Sequence, residues 1–374
     1  MAKKSKSKKY SKSQTLKVSI VSFILGAIIG LAGSVGYSLV DVKSDKKERN
    51  NAVGQIYDDL QVHFLELGNI YAGDSIYVKA GDNDILIDAG SRSSSKDTIK
   101  EYVNQYCNDG TLEYVIATHA HQDHIAAFAC DDGIFSSYTI ETLIDFPLTN
   151  STSNTYKKYV AGKNELISKG TKYYTALDCF KNKNGAKSIY DLGNDTTMEI
   201  LYNEFYEQET SNENDYSVCL LFKCGNNKFL LTGDLEEDGE KGLVEACKDK
   251  IKDCDLFKAG HHGSYTASSD VLLDVVKPSI SVCTCVCGST EYTKNNANTF
   301  PSQNYVNRIS KHTSQVYVTS LCSDYEKGEY TSMNGNVIVS SNKNNVAVAC
   351  SNNNTLLKDT EWFKNNRECP ENWK

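Results

Sequence analysis

One short stretch, residues 118–124, concentrates side chains that bind metal ions. It reads T-H-A-H-Q-D-H, and its four candidate ligands are His119, His121, Asp123 and His124. Residues 113–118 read as a buried strand, and residues 125–129 as the start of a helix. The candidate ligands therefore follow the C-terminal end of a strand, where open α/β sheets place their binding sites.

The spacing within this stretch predicts two metal positions. His119 and His121 are two residues apart and point the same way, whereas Asp123 and His124 fall on the next turn and can face a second ion. Imidazole and carboxylate groups suit zinc, manganese or iron better than calcium. The alternative is a set of hydrogen-bonded structural histidines, but four such groups in six positions are costly to bury for any other reason.

Three further strand ends carry groups of the same kind. Residues 84–88 end in Asp88, and residues 230–234 read L-L-T-G-D and end in Asp234. A carboxylate placed like Asp234 can bridge two cations, and helix N-capping is the alternative role. Residues 258–264 read K-A-G-H-H-G-S, which places His261 and His262 in a glycine-flanked loop after another predicted strand.

Together these motifs resemble the metallo-β-lactamase fold superfamily, whose signature is H-x-H-x-D-H. The order Asp88, H-x-H-x-D-H, T-G-D and G-H-H-G-S is the order found in its hydrolases. The segment K-A-G-H-H-G-S resembles the hydrolase domain of ComEC-type competence proteins in particular. The resemblance covers roughly residues 60–340 and implies an α/β fold, a four-layer αββα sandwich with a metal site along one edge.

The resemblance also implies residue roles at a site for two divalent metal ions, with zinc favoured and manganese or iron as alternatives. The implied metal ligands are His119 and His121 for the first ion, Asp123, His124 and His261 for the second, and Asp234 as the bridge. The implied catalytic residues are Asp123, Asp88, which would orient a ligand, and His262, which would contact substrate or support the site from behind.

One ligand that many superfamily members use is missing here. The seven histidines are His63, His119, His121, His124, His261, His262 and His312, and none lies between the H-x-H-x-D-H loop and Asp234. Asn214 or Asp215 falls where that histidine would stand, so we expect a weakly held or oxygen-rich first metal. The compact G-Q-G-D turn of ComEC-type proteins is also altered, to G-N-I-Y-A-G-D at residues 68–74.

The N-terminal region predicts a membrane anchor. Residues 1–17 form a leader with seven lysines and no acidic residue, and residues 18–40 carry no charge and are long enough to cross a bilayer as one helix. The basic leader should stay in the cytoplasm, which predicts a single-pass cell-membrane protein with its catalytic domain outside. A signal peptide is the alternative. A linker at 41–59, a hydrolase domain at 60–350 and a C-terminal helix and tail at 351–374 would follow.

Charge and cysteine content restrict the partners. The whole chain has a net charge of -8, and residues beyond 17 carry 33 basic and 48 acidic groups, a net charge of -15. Such a body should not bind nucleic acid strongly without sequence specificity, although bound metals would create a local cationic site. The thirteen cysteines cannot all pair, and Cys283, Cys285 and Cys287 share one strand face, where we expect buried apolar packing. His63 is predicted to be structural.

These observations favour a membrane-anchored hydrolase in which two metal ions activate water. The preferred substrate is a phosphodiester, either a small molecule or a nucleic-acid-like one, because the motifs resemble ComEC-type domains. Hydrolysis of a lactone, thioester or amide is an alternative within the same chemistry. A surface binding or scaffold protein with a vestigial metal site is the alternative outside it.

Overall fold

The computed structural model describes residues 38–41 and 56–374. The predicted leader and residues 18–37 of the predicted membrane span lie outside this range. The last residues of that predicted span lie in a β-strand, Ser38–Asp41, which is hydrogen-bonded to a strand near the other end of the chain. In the residues that the structure describes, no helix has both the length and the apolar character needed to cross a membrane.

One sheet contains nine strands from both ends of the described chain. They are β1 Ser38–Asp41, β2 Leu60–Phe64, β3 Ile76–Ala80, β4 Asn83–Ile87, β5 Thr111–Ile116, β6 Thr139–Asp145, β7 Lys172–Thr175, β16 Val337–Ser341 and β17 Val346–Cys350. Their spatial order is β1-β17-β16-β2-β3-β4-β5-β6-β7. Strands β4 to β7 are parallel to their neighbours in this series, and the remaining pairs are antiparallel.

The second sheet contains eight strands from the middle of the chain. They are β8 Ile189–Gly193, β9 Thr196–Ile200, β10 Leu220–Cys224, β11 Asn227–Leu231, β12 Leu256–Lys258, β13 Ile280–Cys287, β14 Val316–Asp324 and β15 Glu329–Ser332. Their spatial order runs from β15 to β8, so that neighbouring strands are consecutive in the sequence. Strands β11 to β14 are parallel, so their C-terminal ends lie at one edge of this sheet.

Helices connect these strands. Within the described range the α-helices are α1 Ser95–Val103, α2 Gln122–Ile125, α3 Ile134–Ser137, α4 Asn154–Ser168, α5 Ala176–Phe180, α6 Glu237–Ile251, α7 Asp270–Val276, α8 Gln303–Ile309 and α9 Glu361–Asn366. Short 3-10 turns include Glu213–Tyr216 and Gly260–Gly263. Both of these turns border the metal-ligand candidates.

Alternating side chains bury both faces of the second sheet. Leu220 and Phe222 of β10 belong to the core that the two sheets share, whereas Leu221 belongs to a second core with helices α6 to α8. The same alternation occurs in β11 and β12, because both faces of a strand covered on two sides must be apolar. This packing confirms the predicted α/β sandwich built from two large mixed sheets.

The region from residue 130 to 195 contains more regular structure than its sequence predicts. It forms helix α4, strands β6, β7 and β8, and the short helices α3 and α5. Strand β7 reads K-Y-Y-T and β8 alternates exposed and buried residues, so neither has the continuous apolar run that marks a central strand. These segments form strands because they pair with neighbouring strands at the edges of the two sheets, and not because of their own residue pattern.

The C-terminal residues join the core of the second sheet. Phe363 of α9 and Trp373 are buried there, with ring centroids 5.5 Å apart, and Trp373 Nε1 donates to the Thr313 carbonyl oxygen at 2.9 Å. The predicted helix in the tail is shorter than expected, because a 3-10 turn at Leu357–Asp359 precedes Glu361–Asn366. The tail therefore belongs to the packed fold.

All thirteen cysteines lie in the described range, and all are free thiols. Ten are buried, including Cys283, Cys285 and Cys287, which lie in β13 and pack in the core with α6 to α8. Burial raises the pKa of the Cys283 thiol to about 12, so this group stays neutral near neutral pH. The three residues pack as small apolar side chains, as their spacing predicts.

His63 also has the structural role that its strand position predicts. It is fully buried in β2, with Nδ1 2.8 Å from the Tyr102 hydroxyl oxygen and Nε2 3.1 Å from Gln61 Oε1. A neutral ring protonated on Nε2 satisfies both contacts. Burial lowers the pKa of His63 from 6.5 to about 3, because the protonated ring would lose its hydration.

We expect His63 to make the fold sensitive to acid. The unfolded chain takes up this proton near pH 6.5 and the folded chain only near pH 3, so the stabilising contribution is complete above pH 6.5 and is lost as the pH falls. The slope for one group is about 1.4 kcal/mol per pH unit. Urea unfolding between pH 6.5 and 4 should show a smaller slope for His63→Gln than for the wild type, and equal slopes would contradict this account.

Candidate metal centre

The candidate ligands meet where strand ends from both sheets come together. Asp88 follows β4 and residues 118–124 follow β5 in the first sheet, whereas Asp234 follows β11 and the histidine pair follows β12 in the second. These four strands run parallel to a neighbour, so their C-terminal ends lie at one edge of each sheet. The topology therefore brings together residues up to 174 positions apart in sequence, from Asp88 to His262.

Asp88 orients the histidine loop. Its Oδ1 accepts a hydrogen bond from the Thr118 backbone N–H and its Oδ2 one from Thr118 Oγ1, both at 2.7 Å. Its Oδ2 also lies 2.7 Å from His124 Nδ1. A carboxylate that holds one ring nitrogen of a histidine directs the other nitrogen, here His124 Nε2, toward the ligand position.

Four side chains converge at the centre of this edge. Ligand atoms of Asp123, His124, Asp234 and His262 all lie within 4.8 Å of one another. Asp234 Oδ2 is 3.0 Å from His124 Nε2 and 3.2 Å from His262 Nε2, and Asp123 Oδ2 is 3.5 Å from His262 Nε2. Two imidazoles and two carboxylates form a donor set suited to a divalent transition metal.

The two adjacent histidines point in different directions. His262 is fully buried and its Nδ1 donates to the Thr284 carbonyl oxygen at 2.9 Å, which leaves Nε2 facing the carboxylates. His261 is 22% exposed, its Nδ1 lies 3.0 Å from Glu236 Oε1, and its Nε2 is 3.9 Å from Asp234 Oδ2. Consecutive positive φ angles of 45° and 56° separate the two rings. The structure thus groups His262, rather than the predicted ligand His261, with the other three side chains.

His119 and His121 form a separate pair. His119 Nε2 is 3.0 Å from His121 Nδ1, and the ring of His119 lies 4.2 Å from that of His124 between centroids. The backbone N–H of Ala120, between the two histidines, donates to Glu213 Oε1 at 3.2 Å. Glu213 also accepts from the Asn150 N–H at 2.6 Å, so this buried carboxylate ties the histidine loop to the loop after β6.

Asn214 and Asp215, the candidates for the missing ligand, lie in the 3-10 turn after Asn212. Asn214 Nδ2 donates to Glu236 Oε1 at 3.0 Å, and its buried Oδ1 has no hydrogen-bond partner in the described part of the chain. Asp215 Oδ1 accepts from the Glu236 N–H at 3.2 Å, and burial raises the pKa of Asp215 to about 6. Of these two residues, only Asn214 therefore has a buried side-chain oxygen without a hydrogen-bond partner in the described part of the chain.

Lys258 and Asp74 form a buried ion pair next to the centre. Lys258 Nζ lies 2.7 Å from Asp74 Oδ2 and 3.5 Å from Asp234 Oδ1, and all three side chains are buried. Asp74 Oδ1 is 3.3 Å from His262 Nδ1. Burial alone would raise the pKa of Asp74, but the charges of Lys258 and His262 outweigh that effect and lower it to about 2. Neither residue was assigned a role from sequence, although Asp74 ends the altered turn and Lys258 opens the K-A-G-H-H-G-S segment.

The electrostatics of the cluster favour a bound cation. Burial would lower the pKa of His124 and of His262, but the neighbouring carboxylates, Asp234 above all, raise both well above the ordinary value. Burial lowers the pKa of His119, as do its histidine neighbours. A divalent ion can replace the protons that the carboxylates attract, because metal binding to imidazole releases protons. The buried Nε2 of His262, which lies 3.2 Å from Asp234 Oδ2 and 3.5 Å from Asp123 Oδ2, is placed to bind such an ion.

Lys258 should be essential for stability. Lys258→Met leaves the buried charges of Asp74 and Asp234 without their ammonium partner, which should cost about 3 kcal/mol or more. Lys241→Met is the control, since Lys241 is exposed and solvent screens its ion pair with Glu237, so its loss should change stability little. Urea unfolding of metal-depleted protein measures both. Equal, small losses would show that Lys258 is not a charge-compensating residue.

Comparison with known proteins identifies the same family as the motifs. Residues 68–129 match the family described as the metallo-beta-lactamase superfamily. The chain is 32% identical over 115 residues to "Competence protein ComA" of Neisseria gonorrhoeae and 27% identical over 111 residues to "ComE operon protein 3" of Bacillus subtilis. These matches cover 31% and 30% of this chain but only 16% and 13% of the relatives.

Solved structures of low sequence identity are also similar. One is the metallo-beta-lactamase fold protein YhfI from Bacillus subtilis, with 13% identity and a TM-score of 0.40, over 70% of this chain and 96% of that protein. The chain spans less than a fifth of the length of these curated relatives. The matched residues and the relatives confirm the resemblance seen in the motifs: residues 68–129 match the metallo-beta-lactamase superfamily, and the chain is similar to competence proteins of the ComA and ComE type.

Proposed function

We propose that this protein is a metal-dependent hydrolase that cleaves phosphodiester bonds. The observation that carries the proposal is the convergence of Asp123, His124, Asp234 and His262, whose ligand atoms lie within 4.8 Å of one another. The arrangement is buried, rich in carboxylates and imidazoles, and held in place by further residues. Two buried carboxylates that face two buried imidazoles are costly to maintain, which favours a working metal site over a vestigial one.

The residues divide between two metal positions. His119 and His121 would hold the first ion, and the second would be held by Asp123 and His124, with Asp234 shared between the two. We propose that His262 takes the remaining ligand place predicted for His261, because its Nε2 is 3.2 Å from Asp234 Oδ2 whereas that of His261 is 3.9 Å away. Two divalent ions there would acidify water and neutralise negative charge that develops on the substrate.

The other residues orient these ligands. Asp88 holds the His124 ring through Nδ1, and the Thr284 carbonyl with Asp74 holds the His262 ring in the same way. His261, fixed by Glu236 and partly exposed, is free to contact substrate, the role that sequence motifs suggested for His262. Rigid ligands matter because the reacting groups must be held to within a fraction of an ångström.

Two observations favour a phosphodiester over a carbonyl substrate. The segment at residues 258–264 resembles that of ComEC-type domains, and the relatives carry the names of competence proteins and, in Haemophilus influenzae, of "Recombination protein 2". A cationic metal pair would also offset the acidic body, which would otherwise repel an anionic substrate. The experiment below includes carbonyl substrates so that the alternative chemistry is tested directly.

Metal content separates the two adjacent histidines. We expect the wild-type chain to bind about two divalent ions. His262→Ala should lose about one of them, because a ligand aimed at the carboxylates is removed, while His261→Ala keeps both. Elemental analysis by mass spectrometry after dialysis gives the stoichiometry without reference to activity. The reverse result would restore His261 as the ligand, and a metal-free wild type with an intact fold would support the scaffold alternative.

Activity on a small panel identifies the reaction. We expect the metal-loaded protein to hydrolyse bis-p-nitrophenyl phosphate, to lose this activity with a chelator and to regain it with zinc or manganese. His119→Ala and Asp234→Asn should reduce turnover by at least about a hundredfold, since they remove ligands of the metal pair. Exclusive turnover of nitrocefin or lactones would replace the phosphodiester proposal by the carbonyl one.

We also propose that the uncharged segment from residue 18 up to β1, which begins at Ser38, anchors the protein in the cell membrane with the hydrolase domain outside. The uncharged segment and the basic leader before it support this topology. Fractionation of cells should find the full chain with the membranes, and a membrane-impermeant lysine reagent should label it on intact cells. A chain lacking residues 1–36, which keeps β1, is the control and should be soluble. Labelling only after lysis would overturn the orientation.

A further inference from the structure

An exposed aromatic ring stands directly beside the candidate metal centre. Tyr292 is 55% exposed, yet its hydroxyl donates to Asp123 Oδ2 at 3.0 Å. Large side chains with this exposure are few in the described chain, and most of the other aromatic rings are buried or half-buried. This hydrogen bond therefore holds the Tyr292 ring beside the cluster while much of the ring remains exposed to solvent.

Phe300 extends this surface toward the histidine pair. Its ring centroid lies 5.7 Å from that of Tyr292 at an interplanar angle of 40°. It also lies 5.7 Å from the ring centroids of both His261 and His262. Tyr292 and Phe300, which we call the aromatic platform, thus form one surface that borders the proposed metal ligands.

The loop that carries the platform is held in place at several points. The Gly288 N–H donates to the Phe300 carbonyl oxygen at 2.7 Å and closes the loop at its base. Glu291, next to Tyr292, is paired with Arg92 at 2.5 Å and accepts from the Ala72 N–H at 2.9 Å. These contacts join the loop to the turns after β2 and β4, so the platform is fixed before any ligand arrives.

The second end of the loop is fixed by the C-terminal tail. Arg367 donates from Nη2 to the Thr299 carbonyl oxygen at 2.8 Å and from Nε to the Pro301 carbonyl oxygen at 2.9 Å. The two residues on either side of Phe300 are therefore bound to the same guanidinium group. An aromatic ring held in this way can stack on a planar group with little loss of conformational entropy.

We infer that the aromatic platform binds a nucleobase of the substrate, so that the preferred substrates are short nucleotide phosphodiesters. This inference rests on the proposed phosphodiesterase function. Planar bases stack on exposed aromatic rings with little dependence on sequence. The net charge of -15 beyond residue 17 disfavours a long polyanion, which needs many lysine and arginine contacts. One phosphodiester at the metals and one base on the platform suit a mononucleotide ester or a dinucleotide.

Two substrates with the same leaving group test the inference. Thymidine 5′-(p-nitrophenyl phosphate) carries a base, and methyl p-nitrophenyl phosphate does not, while both release p-nitrophenol. For the metal-loaded full chain we expect kcat/KM to be about fivefold or more higher for the thymidine ester, because stacking of one base contributes at least about that factor. The ratio of the two values is the quantity compared among variants.

The variants separate the ring from its hydroxyl group. Tyr292→Leu and Phe300→Leu should reduce the ratio toward one, whereas Tyr292→Phe, which keeps a stacking ring and loses only the contact with Asp123, should retain most of it. Tyr330→Leu, on the edge strand β15, is the matched control and should leave the ratio unchanged. Circular dichroism melting confirms that each variant is folded.

Binding provides a second readout that does not depend on turnover. Isothermal titration with thymidine 5′-monophosphate should give weaker binding to Tyr292→Leu than to the wild type, while titration with inorganic phosphate should give equal affinities. If the wild type hydrolyses neither ester with any metal, the phosphodiesterase proposal is wrong. If it hydrolyses both esters with a ratio near one that Tyr292→Leu does not change, the function stands and the platform inference is overturned.

Discussion

The structure depends on compensation of buried negative charge. Asp74, Asp88, Asp123 and Asp234 are all buried at one edge of the sandwich, and isolated carboxylates there would be prohibitively costly. Lys258 lies between two of them, the imidazoles of His124 and His262 contact the others, and backbone and hydroxyl donors of Thr118 complete the shell of Asp88. The concentration of negative charge that makes the site attractive to cations is thus kept stable by groups that are themselves fully buried.

Most of the fold and the location of the site could be predicted from the sequence. Strand ends before Asp88, His119, Asp234 and His261 follow from apolar runs that stop at glycine or polar residues, and parallel strands bring such ends together. The segments β7 and β8 were not predicted, because neither carries a continuous apolar run and both pair at the edges of their sheets. The resemblance to the superfamily was also readable, since it rests on local motifs.

The details of the site could not be predicted, for a different reason. The backbone φ angles of His261 and His262, 45° and 56°, decide which of the two rings faces the carboxylates. No side-chain pattern in the sequence encodes these angles. Glu213 contacts Ala120 across 93 positions of sequence, and Tyr292 contacts Asp123 across 169. Such residues gain a role only through tertiary proximity. In the sequence alone, nothing distinguishes Glu213 from other acidic residues or Tyr292 from other tyrosines.

The return of the chain to its first sheet has a consequence for folding. Strand β2 pairs with β16, so that Val62 lies opposite Val339, and the sheet that carries the histidine loop stays incomplete until residues near the end of the chain are available. During synthesis this edge of β2 stays unpaired until almost the whole second sheet has been made. Pairings this distant slow folding and leave an open strand edge that invites aggregation. Production of this protein should therefore be more sensitive to translation rate and chaperone supply than its compact native fold suggests.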